Sequence, residues 1–219
     1  MTTTHEHSVE LAGVDLAGRN HVCAFFETVD EEHRVLGSFY RNGLERGDKA
    51  AHIVDPENRE EHLKRLAESG IDVKEMMDNG RLEVVPWTDM YVRDHCFDQD
   101  AMLRSVETVL QSGEAAGYAR TALVGHHMDW VFLDKPATSN LVEYEARLNQ
   151  VLCKYGGPVI CNYNPAKFGA QVVIDIIRTH PLAIIGGLLR ENPFFVSPEQ
   201  FLDEKRERRL ARRGGAVSE

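Results

Sequence analysis

Hydrophobic residues along this chain follow two rhythms. Short β-prone runs stand at HVCAFF (21–26), KAAHIVD (49–55), RLEVVPW (81–87), TALVGHHMDWVF (121–132) and VICNYN (159–164). Between them, apolar residues recur at three- and four-residue spacing, the signature of amphipathic helices. Val35, Leu36, Phe39, Tyr40 and Leu44 mark one over 31–46, Leu103, Val106, Val109 and Leu110 one over 100–116, and Leu141, Tyr144, Leu148, Val151 and Leu152 one over 140–154. Gly47-Asp48 stops the first helix, Asp55-Pro56 opens another with Pro at its start, Gly80 ends a short helical piece at 71–79, and a further helix is expected over 168–178. After His180-Pro181, LAIIGGLL reads as a strand or buried run and Phe194-Phe195 as one more strand candidate. Residues 88–98 read as an irregular loop, and 1–18, without clean periodicity, as a loose leader. Five alternations of strand and helix predict an α/β fold: a three-layer sandwich with a mainly parallel central sheet and helices on both faces. No repeat or second domain is visible. The expected organisation is a leader (1–18), one domain (19–197) and a basic polar tail (198–219), either helical or disordered.

Composition narrows the function. Of 219 residues, 42% are hydrophobic, enough for one sizeable core. The balance of 25 Lys+Arg against 35 Asp+Glu, a net charge of −10, argues against direct sequence-specific binding of nucleic acid, which needs a basic face. The exception is KRERRLARR (205–213), with six Lys/Arg and one Glu, which reads first as a solvated end. No apolar run approaches about 18 residues, and the polar N-terminal segment lacks a signal-peptide core, so a cytoplasmic protein without a membrane partner is expected. Cys23, Cys96, Cys153 and Cys161 are too few and too scattered for a disulfide framework, and none pair as CxxC.

In α/β proteins a phosphate loop often follows the first strand. Here ETVDEEHR follows, with neither glycine nor GK[ST], and its carboxylates would repel a nucleotide, so none is expected as cofactor. GxGxxG, GxSxG and HExxH are also absent, and the HEH at 5–7 lies in the leader. The informative residues lie on strands. His21 and Cys23, two apart, share one face of the first strand; Cys161 and Tyr163 do so on the fifth. His126 and His127 are adjacent on the fourth, so only one can share a face with the others. With the strand order 5-1-4-3-2 assumed from P-loop-like sheets, these side chains meet near the carboxyl ends of the strands. Each cysteine can equally be a packing residue. Zinc or copper would accept such a nitrogen and sulfur set, and whether a metal is bound stays open, with His21, Cys23, His127 and Cys161 as its candidate ligands.

The series HVCAFF, GHHMDW, YEARLN, VICNYNPAKF and RTHP, in this order over about residues 19–196, resembles the MEDS domain, the methanogen/methylotroph sensory domain of dichloromethane-responsive regulators. The resemblance implies a RecA/KaiC-like fold that has lost its phosphate loop, and a role in sensing small organic molecules, including hydrocarbon derivatives, and passing the signal to a regulatory output. His21, Cys23 and Phe26 match the family's first-strand motif, Glu145 its helical YE, Cys161 and Tyr163 its Cys-x-Tyr, and His180-Pro181 its closing HP. His127 stands where the family has Glu in Glu-Met-x-Trp, followed by Met128, Asp129 and Trp130; the exchange removes an anionic acceptor and adds a neutral donor or metal ligand.

The expectation is a stand-alone sensory domain that binds a small, largely apolar organic ligand through His21, Cys23, Phe26, His127, Trp130, Cys161 and Tyr163. Glu145, His180 and Pro181 are family-motif positions, and no catalytic residue is assigned. Trp130 and Tyr163 would wall the pocket, with 88–98 and 132–140 as lid loops. No helix-turn-helix segment is left over, so a protein partner, regulator or kinase-like, would receive the signal; homo-oligomerisation stays open. Two alternatives remain: a metal- or redox-responsive sensor built on the same His/Cys cluster, and an enzyme acting through Cys23 activated by His21 or His127.

Overall fold

The computed structural model describes residues 10–11, 14–16, 20–93, 96–126 and 137–215. Seven strands are β1 (His21–Phe25), β2 (Lys49–Val54), β3 (Leu82–Pro86), β4 (Thr121–Gly125), β5 (Val159–Tyr163), β6 (Leu182–Ile185) and β7 (Leu188–Glu191). The helices are α1 (Val29–Arg46), α2 (Arg59–Glu68), α3 (Val73–Asp78), α4 (Trp87–Tyr91), α5 (Gln99–Ala115), α6 (Ala137–Leu152), α7 (Ala170–Thr179) and α8 (Pro198–Gly215). The strands form one sheet in the order β7-β6-β1-β5-β4-β2-β3, parallel except for the β6–β7 hairpin. Among the described residues, no helix is long and apolar enough to cross a membrane.

Strand parity builds the three layers. Cys23, Phe25, Ala51, Ile53, Leu123, Cys161 and Tyr163 point to one side, where α5, α6, α7 and α8 supply Val106, Leu110, Tyr144, Leu148, Ile176 and Phe201. Val22, Ala24, Val54, Val124 and Ile160 point to the other, against Leu36, Phe39 and Leu44 of α1 and Leu66 of α2. The acidic stretch after β1 starts α1. Thr28 caps it by accepting from the Glu31 N–H at 3.1 Å, and Asp30, Glu31 and Glu32 occupy the first turn, where negative charge is favoured.

Several expectations are corrected. In the sheet, β5 lies between β1 and β4, so the fourth strand is not a neighbour of the first as the assumed order had it. The leader is in part structural: residues 10–11 and 14–15 form a small antiparallel ribbon, with Leu11 and Leu16 buried in the α1-side core. The expected loop 88–98 holds α4 and a second ribbon pairing 92–93 with 96–97. LAIIGGLL is a hairpin turned by Gly186 and Gly187 at φ 58° and 74°, a conformation that favours glycine; Phe194-Phe195 is not a strand, and Phe194 is exposed. The basic tail takes the helical one of its two expected forms, but it is not a solvated end: Phe201 is fully buried against the α6/α7 side.

Candidate functional site

The register sets the site. Cys23 and Cys161 are direct partners across β1 and β5, so His21 stands two residues below Cys23 on the same face. Asn20, just ahead of β1, donates to the carbonyls of Leu152 and Tyr155 at 2.8 Å each and fixes the end of α6 over this spot. Glu145 of α6 then points down at the sheet, fully buried. His180, placed between α7 and β6, closes the other side, its ring 3.9 Å from that of His21.

Four side chains meet at Glu145. His21 Nε2 lies 3.2 Å and His180 Nε2 3.5 Å from Glu145 Oε2. Cys161 Sγ lies 3.6 Å from the same oxygen and 3.8 Å from His21 Nε2. The Tyr163 hydroxyl donates to Glu145 Oε1. The far sides of both imidazoles are engaged: His21 Nδ1 is 3.0 Å from Asn149 Oδ1, and His180 Nδ1 is 2.8 Å from the Ile176 carbonyl. The Asn149 amide nitrogen donates to the carbonyls of Glu145, Ala146 and Thr179, so its oxygen faces His21. One atom from each of His21, Glu145, Cys161 and His180 falls within 4.8 Å of the other three.

Burial controls the protonation. Desolvation, reinforced by His180, pulls the pKa of His21 down to about 4 against the opposing pull of Glu145 and Asn149. Burial alone would raise the Glu145 carboxyl, but hydrogen bonds from His180 and His21 outweigh it and hold it down to about 2. Burial and the Glu145 charge push the Cys23 and Cys161 thiols and the Tyr163 phenol up. A neutral His21 with one ring proton can satisfy Asn149 or Glu145, not both. A metal ion bound here would take the Nε2 lone pairs of both rings, leaving their protons on Nδ1 toward Asn149 and Ile176, and would replace the two rings as the partner of the Glu145 carboxylate.

The sequence-predicted residues divide accordingly. His21, Cys161 and Tyr163 come together, joined by Glu145 and His180. Cys23 shares their face, but its thiol donates to the Leu182 carbonyl at 3.6 Å and stands outside the cluster. Phe26 belongs to the opposite core, because strand parity turns it toward α1. Pro181 leads into β6, its carbonyl accepting from the Asn192 N–H. His127 and Trp130 lie outside the described residues, as does most of the proposed lid 132–140. The cluster sits at the start of β1 and the middle of β5, not at the carboxyl ends; two-residue spacing fixes a face, while height follows from register. Asn149 was missed, although it lies one helical turn beyond Glu145. Beside it opens a groove of ≈ 680 Å³ lined by Asn20, Asn149, Cys153, Pro181, Asn192 and Phe195, among others.

Comparisons with known proteins agree with this architecture. The chain is 24% identical over 173 residues to the transcriptional repressor DcmR of Methylorubrum extorquens, a match covering 78% of this chain and 62% of the repressor. A KaiC-like protein from the hyperthermophilic archaeon Pyrococcus horikoshii superposes with a TM-score of 0.54 at 18% identity, over 75% of this chain and 69% of that one, a likeness of fold. Residues 20–181 match the MEDS family, the methanogen/methylotroph, DcmR sensory domain. The span from just before His21 to just after His180 encloses every member of the buried cluster, and the chain belongs to the MEDS family of sensory domains.

Proposed function

We propose that the chain senses its signal through a transition-metal centre formed by His21, Glu145, Cys161 and His180, and passes the result to a partner regulator. The observation that carries this reading is the placement of the ring nitrogens. Both imidazoles spend their Nδ1 side on fixed acceptors and turn Nε2 toward one carboxylate oxygen and one thiol, the arrangement in which second partners orient metal-bound histidines. Four of the six separations, 3.2–3.8 Å, are those of ligands around a tetrahedral ion with bonds of about 2.0–2.3 Å, and the other two fall within 4.8 Å. A metal would displace the Cys161 proton that burial otherwise retains. The same retention counts against a cysteine nucleophile, since a protonated thiol does not attack.

The output would run through α6. Glu145 faces the centre, while Glu143 on the same helix holds Arg209 of α8 at 2.6 Å and Lys205 at 3.7 Å. A shift of α6 therefore changes the basic surface of α8. The match to a transcriptional repressor supports a regulatory partner as recipient. A second reading, a small organic ligand without a metal, is favoured by the groove beside Asn149; its three asparagines suit a molecule with a polar group better than a purely apolar one.

The test is cobalt substitution of the purified, chelator-treated chain. Co²⁺ added to saturation is expected to give a near-ultraviolet sulfur-to-cobalt band that disappears in Cys161→Ser. A folded chain that takes up Co²⁺ with no such band, or takes none, overturns the metal reading. Perturbation of the side-chain amide NMR signals of Asn149 and Asn192 by short-chain alcohols or halogenated alkanes would then favour the second.

A further inference from the structure

The opposite face of the sheet carries a second polar cluster that the sensing centre does not use. His52 of β2, His62 of α2 and His126, the residue after β4, are all buried, at 0%, 6% and 7% exposure. Parity turns His52 and His126 toward α1 and α2, away from Cys161. His52 Nδ1 lies 2.9 Å from His62 Nε2 and 3.0 Å from His126 Nε2. One ring nitrogen of each falls within 4.8 Å of the other two. His126 Nδ1 contacts the carboxylate of Glu32, itself fully buried in the first turn of α1. The Tyr40 ring packs edge-on to His52 at 4.6 Å, and the His33 ring lies 5.3 Å from that of His62.

We infer that His52, His62 and His126 form a binding site for a divalent transition-metal ion, with Glu32 orienting His126 from behind. Proton counting motivates this. Glu32 can only accept, so Nδ1 of a neutral His126 carries the proton and its Nε2 presents a lone pair to His52. His52 Nδ1 faces two ring nitrogens at once, and its single proton cannot serve both contacts fully. A cation that accepts three lone pairs replaces these competing contacts, with the His52 proton carried on its buried Nε2. Desolvation and the neighbouring histidines lower the pKa of His52 and of His62, which keeps these rings in the neutral form that binds metal. Nitrogen ligands around a tetrahedral zinc ion stand about 3.3 Å apart; the two contacts of His52 are within a few tenths of an ångström of that, and the His62 and His126 ligand atoms lie within 4.8 Å of each other. Three imidazoles without sulfur suit zinc, nickel, cobalt or copper, and leave a fourth position for water or a small ligand. His126 directly follows the last residue of β4, while His52 stands within β2, level with Val124.

The experiment uses the full chain, stripped with chelator and titrated with Co²⁺ and Zn²⁺. In Cys161→Ser, one equivalent of Co²⁺ is expected to bind with visible bands and no sulfur band. Adding His62→Gln should weaken that binding by about 100-fold or more, and Glu32→Gln by about 10–100-fold. Should His62→Gln fail to fold, imidazole NMR of the unaltered chain decides: Zn²⁺ should move the resonances of His52, His62 and His126 together. Binding unchanged by His62→Gln, or three histidine resonances unmoved by one equivalent of Zn²⁺ beyond that taken by the Cys161 site, overturns the inference.

Discussion

Glu145 is a buried anion that survives because four donors or ring nitrogens converge on it, and the Tyr163 hydroxyl is the one that serves Oε1. Hydrogen bonds to charged groups contribute about 1.5–3 kcal/mol. Tyr163→Phe keeps the ring in its apolar surroundings and removes only that bond, so urea denaturation should show a loss of this size. A change below about 0.5 kcal/mol would mean that Oε1 is satisfied from elsewhere. His21, Cys161 and Tyr163 could be placed on one face from alternation alone. Glu145 and His180 were legible only as motif positions, because nothing in the spacing of α6 says that its glutamate is buried while Glu143 two residues earlier serves surface cations. His62 falls one turn before Leu66 on the buried stripe of α2, and His52 lies between the buried Ala51 and Ile53. Both were readable as buried histidines. That they meet each other and His126 depends on β2 pairing with β4, which no local pattern states.

At the scale of elements, alternation of strand and helix was sufficient for the layers but not for the order of strands. The order depends on which edges approach closely, and glycines record this. A Cβ on Gly157, just ahead of β5, would stand 1.9 Å from the Thr121 carbonyl oxygen of β4, a backbone atom that cannot step aside. On Gly156 it would meet nothing within 4 Å. The Gly-Gly-Pro run, read from sequence as a helix breaker, thus also permits the β4–β5 contact that places β5 between β1 and β4. Gly157→Ala should destabilise by about 3 kcal/mol or more, while Gly156→Ala should stay within about 0.5 kcal/mol. Thermal denaturation of the two variants side by side checks this, and equal effects would mean that the β4–β5 approach is looser than described.

For the molecule as a whole, α8 is the element whose role composition obscured. A run of six basic residues suggests a solvated end, yet Phe201 plugs the core, Arg178 of α7 holds Glu204 at 2.7 Å, and Arg208 holds Asp175 at 3.2 Å. Lys205 is drawn in with them: 13% of its side chain is exposed, and it lies 3.7 Å from Glu143. Burial, aided by Arg209 and Arg208, lowers its pKa to about 8, although Glu143 and Asp175 pull the other way. The unfolded chain keeps this ammonium protonated up to about 10.5. Between these limits the unfolded state binds more protons, so stability from this group rises with pH; its cost is complete below about 8 and fades as pH approaches 10.5. At full strength the linkage would be about 3 kcal/mol, and solvent screening of a partly exposed group reduces it to about 1–2 kcal/mol. Lys205→Met lacks the titration while keeping the aliphatic packing. Because buried thiols and phenols impose their own alkaline dependence on both proteins, the informative quantity is the difference between them. Urea midpoints at pH 7.5 and 10.5 should show the unaltered chain gaining about 1–2 kcal/mol on Lys205→Met across that interval. A difference that stays constant with pH would place the Lys205 ammonium in solvent and detach α8 from the packed body.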